Sequence, residues 1–351
     1  MHKVIEDAVE FLDLVGKVDS LFEADSLSNQ RIDSARSKLH ADKYQDMDVV
    51  GFGSMARREM TSESDFDYLV LSTSLAGAEK SRDLLADADA LRTIFPNEED
   101  HESDDDGCHQ IKPPGSTGVF GIATGAFGLI ERIGLQDDTN HSLTRRVLVL
   151  TESVSLMNDK VHDEILRATI RRYLTVIKAG PERVPRFLLN DVMRYWRTIA
   201  VDYQAKALDP SKKPGLRNLK LRVPRKISYA GTLMSLLRSG QDGAYPATEQ
   251  NILERLTMPP LARLLEPCRG DMDDAIKSSF RDVVIILNEY LNKSSKSDWR
   301  DKVEGADPSS DDNCDEFEDM ATMARKLDEK LRTIFFEWND VGSNFRKYLA
   351  F

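Results

Sequence analysis

The chain has 351 residues, 40% of them hydrophobic, and a formal net charge of −12. The length suggests about two domains. The apolar fraction suffices for packed cores, and the acidic balance offers no global field for a long nucleic acid. Three cysteines, Cys108, Cys268 and Cys314, lack metal-like spacing and argue against a disulfide framework. No apolar run approaches a membrane span, and the opening MHKVIEDAVEFLDLV carries acids inside its apolar pattern, unlike a signal peptide. These features lead us to expect a cytoplasmic protein with no membrane partner.

In chain order, residues 3–22 and 26–43 read as two amphipathic helices, with Val4, Ala8, Phe11, Leu12 and Val15 at helical spacing. A strand over 47–52, a short helix from Ser54, a strand over 66–72 and an Ala- and Leu-rich helix over 77–94 follow. The acidic block 97–107, flanked by His101 and His109, reads as a solvated loop, with metal binding as the alternative. Residues 118–123, GVFGIA, read as a third strand without an acid. From Ser142 the chain turns helical, with Pro181 and Pro185 as breaks and helices expected at 187–207, 247–256, 270–293 and 316–349. The polar stretch 294–315 reads as a flexible acidic linker. The division expected is 1–45 as helices packed on the core, 46–140 as the core, 141–293 as a helical domain, 294–315 as linker and 316–351 as a terminal helix.

The chemistry concentrates between Val49 and Leu71, VVGFGSMARREMTSESDFDYLVL. Side chains alternate along a strand, so Asp65 and Asp67 project together while Phe66 turns into the core. Two such carboxylates repel unless a cation sits between them, and oxygen-only ligands suit Mg²⁺ or Mn²⁺. Gly53 lets a backbone approach a phosphate closely, and Ser54 can donate from its hydroxyl. A phosphate cradle beside a metal dyad is the equipment of phosphoryl transfer.

Gly53-Ser54, an Arg-rich turn at Arg57-Arg58, then Ser64-Asp65-Phe66-Asp67 resembles the signature of the DNA polymerase β-like nucleotidyltransferases. The full run, with Glu59 and Thr61, looks most like the branch of the glutamine synthetase adenylyltransferases and the protein-PII uridylyltransferases. The resemblance covers about 20 residues, a scale set by the motif's own spacing. It implies an α+β fold, a small mixed-sheet nucleotidyltransferase core followed by a mainly helical domain. It also implies transfer of a nucleoside monophosphate, AMP first, from an NTP to a hydroxyl on a protein or small molecule, with release of pyrophosphate. Two Mg²⁺ or Mn²⁺ ions would be held by Asp65 and Asp67. ATP is the nucleotide partner expected first, with no long nucleic acid as acceptor. Antiviral oligonucleotide synthetases share the Gly-Ser and Asp-x-Asp core, so an oligonucleotide product is an alternative.

The third carboxylate of that family has no obvious counterpart here. Asp137, Asp138, Asp106 and Asp191 are the candidates, with Asp138 also placed to cap the helix that follows. Without a third acid, an inactive nucleotide-binding or scaffolding module is the remaining alternative. Arg57 either helps the phosphate tail or pairs with Glu59. A basic segment, Arg217 to Lys226 with Ser228 and Tyr229, could meet the triphosphate, because Lys226 and Tyr229 are three apart on a helix starting near Pro224. The Lys226-Ile227-Ser228-Tyr229 run also resembles the family's triphosphate-holding element. On the preceding helix Asn190, Arg194 and Arg197 share a face, and Trp196 could stack on a base or belong to the core.

Overall fold

A computed structural model describes residues 1–74, 78–91, 120–175, 184–207, 214–239, 247–310 and 312–349. The acidic block 97–107, His101, Asp106, Cys108 and His109 lie outside the described residues. The chain divides into two compact units, Met1–Asp25 with Ile170–Phe351, and Ser26–Thr169. The architecture is mixed α and β, mostly helical, with one small mixed sheet.

The 26–169 unit is built on that sheet. Its strands are β1 (Met47–Phe52), β2 (Tyr68–Ser72), β3 (Ala123–Gly125) and β4 (Ser153–Ser155), in the order β3-β2-β1-β4. β1 pairs antiparallel with β2 and β4, whereas β2 pairs parallel with β3. Register places Val49 opposite Val70 and Val50 opposite Leu69, and all four are fully buried. One face, with Val49, Val70, Tyr68 and Phe66, packs against Ile32, Ala35, Leu84 and Ala88. The other carries Val50, Leu69 and Leu71. A strand buried on both faces shows an apolar run rather than alternation, as VVGF and YLVL do.

Several expected elements shift. The single helix over 3–22 is instead α1 (Lys3–Phe11), followed by α2 (Asp19–Lys38). Asp13 and Gly16 adopt left-handed φ angles of 56° and 69°, which no helix continues through, and Val15 is left exposed. Met1–Asp25 clusters with the helical unit rather than on the sheet, and α1 packs against α12 (Pro260–Leu265). The third strand begins at Ala123, although Ile122 O already accepts from Val70 N. β4 was not expected at all.

In the helical unit, α8 (Arg186–Ala207) and α10 (Lys226–Leu237) are the helices that matter for ligand chemistry. α10 is apolar almost all round and packs closely on α12: a Cβ on Gly231 would stand 2.1 Å from Pro260 O. The expected linker is folded. α14 (Ser297–Glu304) buries Trp299 and Val303, and a Cβ on Gly215 would meet Val303 O at 2.1 Å. The expected helix over 316–349 is α15 (Asp315–Arg332), a π-helical turn Thr333–Glu337, and α16 (Asn339–Leu349), broken where Trp338 turns extended.

Candidate functional site

β1 ends at Phe52, and Gly53 turns the chain with a φ of 63° into a five-residue helix, α3 (Gly53–Arg57). Only glycine takes that φ without strain. Arg58 closes the helix in the left-handed region, where its N–H reaches Met55 O and Glu59 N reaches Ser54 O. The next turn is fastened by Ser64, whose hydroxyl accepts from Thr61 N at 2.9 Å. Met60 N donates to the buried Ser28 hydroxyl at 3.0 Å. These bonds deliver Asp65-Phe66-Asp67 to the head of β2.

There the alternation expected from the sequence is present. Asp65 is exposed, Phe66 is 1% exposed and stacks near Tyr68, and Asp67 is half-buried. Asp67 O accepts from Phe52 N at 2.9 Å, so the antiparallel pairing runs one step past β2. Gly53 then lies directly beside Asp67: a Cβ built on it would stand 3.6 Å from Asp67 Oδ2. Gly53 and the Asp67 carboxylate are neighbours in space, and Ser54 follows, half-buried.

The end of α3 carries a buried charge cluster. Arg57 Nε donates to Glu59 at 2.7 Å and Nη1 to Glu152 at 2.8 Å, all three side chains being at most 9% exposed. Burial alone would lower the guanidinium's pKa, but Glu59 and Glu152 outweigh it and hold it above its ordinary value. Burial pushes the Glu59 carboxyl up to about 7 against the pull of Arg57. One cation facing two buried carboxylates favours a proton on one of them. Of the two roles weighed for Arg57, its guanidinium is engaged in the pairing with Glu59. Glu152 is the residue that sequence reasoning missed. It sits 95 residues from Arg57, at the end of α6 (Asn140–Thr151), with no local signal. A second missed acid is Asp48 on β1, whose Oδ1 accepts from Met157 N and Asn158 N at 3.1 and 2.8 Å. Burial raises its pKa to about 7.

The three third-acid candidates among the described residues are otherwise engaged. Asp138 binds Arg146 through both oxygens, at 3.0 and 2.8 Å, in a pair almost wholly buried. The cap of α6 is Thr139, which accepts from Ser142 N, so Asp138 is not the cap. Asp137 lies near the exposed Arg132 at 3.3 Å. Asp191 accepts from Tyr173 and from Arg194, which takes up Arg194's charge in an i,i+3 pair. β3, which pairs with β2, sets Thr124 opposite Leu71 and carries no acid. Among the described residues no three His, Cys, Asp or Glu side chains form a metal-holding group.

The basic segment does not form one ligand-facing set. Lys226 pairs with Asp328, and Ser228 is 1% exposed inside the helix packing. Tyr229 lies on the Lys226 side and stacks on Trp196, with centroids 4.8 Å apart and planes 9° from parallel. No helix among the described residues is long and apolar enough to cross a membrane. No family model and no curated protein matches the chain.

Proposed function

We propose that the protein is a metal-dependent nucleotidyltransferase that moves a nucleoside monophosphate from an NTP, ATP first, to a hydroxyl on a protein or small molecule. The observation that supports this is the place of Gly53, on which a Cβ would stand 3.6 Å from Asp67 Oδ2, with the exposed Asp65 two residues before Asp67 at the head of β2. An exposed and a half-buried carboxylate two residues apart fit Mg²⁺ or Mn²⁺, which bind through one or two carboxylates plus substrate phosphates. Asp65 and Asp67 would hold such ions, which supply charge neutralisation and acidify a bound hydroxyl. Gly53 gives the phosphate tail room beside the dyad, and Ser54 offers it a hydroxyl donor. The acceptor oxygen bonds to the α-phosphorus, the bond to the departing pyrophosphate breaks, and the hydroxyl proton goes to water. Arg57, Glu59 and Glu152 act one layer back, holding the turn that carries the dyad.

A second reading, a nucleotide-binding module without turnover, is favoured by one observation: β3 offers Ala-Thr-Gly and no acid. Incubation with each α-labelled NTP and Mg²⁺ or Mn²⁺, with and without cell lysate, separates the readings. Label on a protein band or a small product, with pyrophosphate released, supports transfer. A labelled oligonucleotide ladder would identify a synthetase instead. Saturable Mg²⁺–ATP binding without any labelled product supports the binding module.

A further inference from the structure

The helical unit holds a pocket that the transfer reading does not use. Its wall is aromatic: Trp196 from α8, Tyr229 from α10, Phe335 and Phe336 from the turn after α15, and Phe345 from α16. Its volume is about 190 Å³. An apolar cavity of about 150 Å³ already admits benzene, so the space suits one ring or two fused rings.

Two further observations point to a ligand. The first is backbone geometry. π-Helical turns are rare and cluster at functional sites; of the two described here, one supplies residues to this pocket and the other ends immediately before its lining residue Lys226. Leu221–Arg225 ends where Lys226 begins, and Thr333–Glu337 brings the consecutive Phe335 and Phe336 to the same wall. Pro224, which lacks an N–H, accounts for the first turn; nothing in TIFFE demands the second locally. The second observation is charge. Lys226 and Asp328 neutralise one another on the pocket wall. Arg332 lines the same pocket, is exposed, and has no ion-pair partner among the described residues. The pocket therefore carries one surplus positive charge, on a guanidinium whose planar fork matches a carboxylate. Phe336 is left 46% exposed beside it.

We propose that this pocket binds a planar aromatic carboxylate of one or two fused rings, the ring against Trp196, Tyr229 and Phe336 and the carboxylate on Arg332. Offset or edge-on ring contacts hold the body, and the cation selects the charged form. The site stands independently of the Asp65–Asp67 reading, and its test uses neither nucleotide nor metal.

The probe is 2-naphthoate, with 2-naphthamide as its neutral isostere, titrated into the full chain by calorimetry with tryptophan fluorescence alongside. The expected result is saturable one-to-one binding of 2-naphthoate, at least tenfold tighter than 2-naphthamide. Arg332→Gln, at an exposed position, should remove that preference and leave the amide's affinity unchanged. Leu233→Trp fills the cavity and should abolish binding of both. Should that variant fail to fold, Phe336→Ala at the exposed rim should weaken both ligands at least fivefold with the melting temperature unchanged. Failure of 2-naphthoate to saturate, equal affinity for acid and amide, or wild-type affinity in Arg332→Gln would each overturn the proposal.

Discussion

Arg57 shows how a residue of the Gly-Ser to Asp-x-Asp run can be engaged in holding its own turn. It bridges two buried carboxylates, and breaking a buried pair by deleting one partner costs about 3–5 kcal/mol. Arg57→Met should lower the unfolding free energy by that order in urea denaturation. An arginine that only met phosphate would instead leave stability intact and weaken NTP binding. Asp48 supplies a pH test. Its folded-state pKa, about 7, lies above the ordinary 3.8 because burial penalises the charged form. Its contribution is therefore full below about pH 3.8 and is lost as pH rises through about 7, to the extent of about 4 kcal/mol. Asp48→Asn keeps an oxygen for Met157 N and Asn158 N but does not titrate, so its stability should fall less between pH 4 and 8. A slope equal to wild type in chemical denaturation across that range would contradict the raised pKa. Gly53→Ala, forced to φ 63°, should cost about 1 kcal/mol through strain, since the space beside Asp67 would admit a methyl.

At the scale of elements, what was legible in the sequence is what local pattern decides. Gly53, Asp65 and Asp67 lie within fifteen residues, and the strand period that sets Phe66 inward is a local rule, so the burial of this stretch of the candidate site could be read from the sequence. β4 could not: three residues, Ser-Val-Ser, come one residue after a helix, and only their pairing with Val50 to Phe52 makes them a strand. The 294–315 stretch misled because its composition is polar, yet Trp299 and Val303, four apart, are enough to seat α14. Helix packing of this closeness is testable. Gly231→Ala places a methyl 2.1 Å from Pro260 O, a backbone atom with no freedom to yield. Overpacking of that kind costs about 1–3 kcal/mol or more. A variant as stable as wild type in urea denaturation would mean that α10 and α12 are not packed as described.

At the scale of the whole molecule, the sheet unit carries the proposed chemistry and the helical unit carries an aromatic pocket. The pairings that define each were the least legible features. Arg57 finds Glu152 across 95 residues, and Lys226 finds Asp328 across 102. No spacing rule reaches so far. The second pairing is why Lys226, expected to serve a triphosphate, already has a carboxylate at hand. The net charge of −12 belongs to this scale too. A protein without a surplus of cations gains little from counterion release, so a 40-nucleotide single strand should show no binding at 0.15 M salt by fluorescence anisotropy. Tight, strongly salt-dependent binding would restore a long nucleic acid as acceptor.

The central claim, that Asp65 and Asp67 run nucleotidyl transfer, is tested most directly by the double variant Asp65→Asn/Asp67→Asn. Transfer of label from α-labelled ATP should be followed in wild type and variant, with γ-labelled ATP as control and melting temperatures recorded together. Wild type should transfer the α label and never the γ label. The variant should transfer neither and melt no lower than wild type without metal, because removing adjacent like charges relieves repulsion. Undiminished α-label transfer by the double variant, or no transfer and no Mg²⁺–ATP binding by the wild type, would contradict the claim.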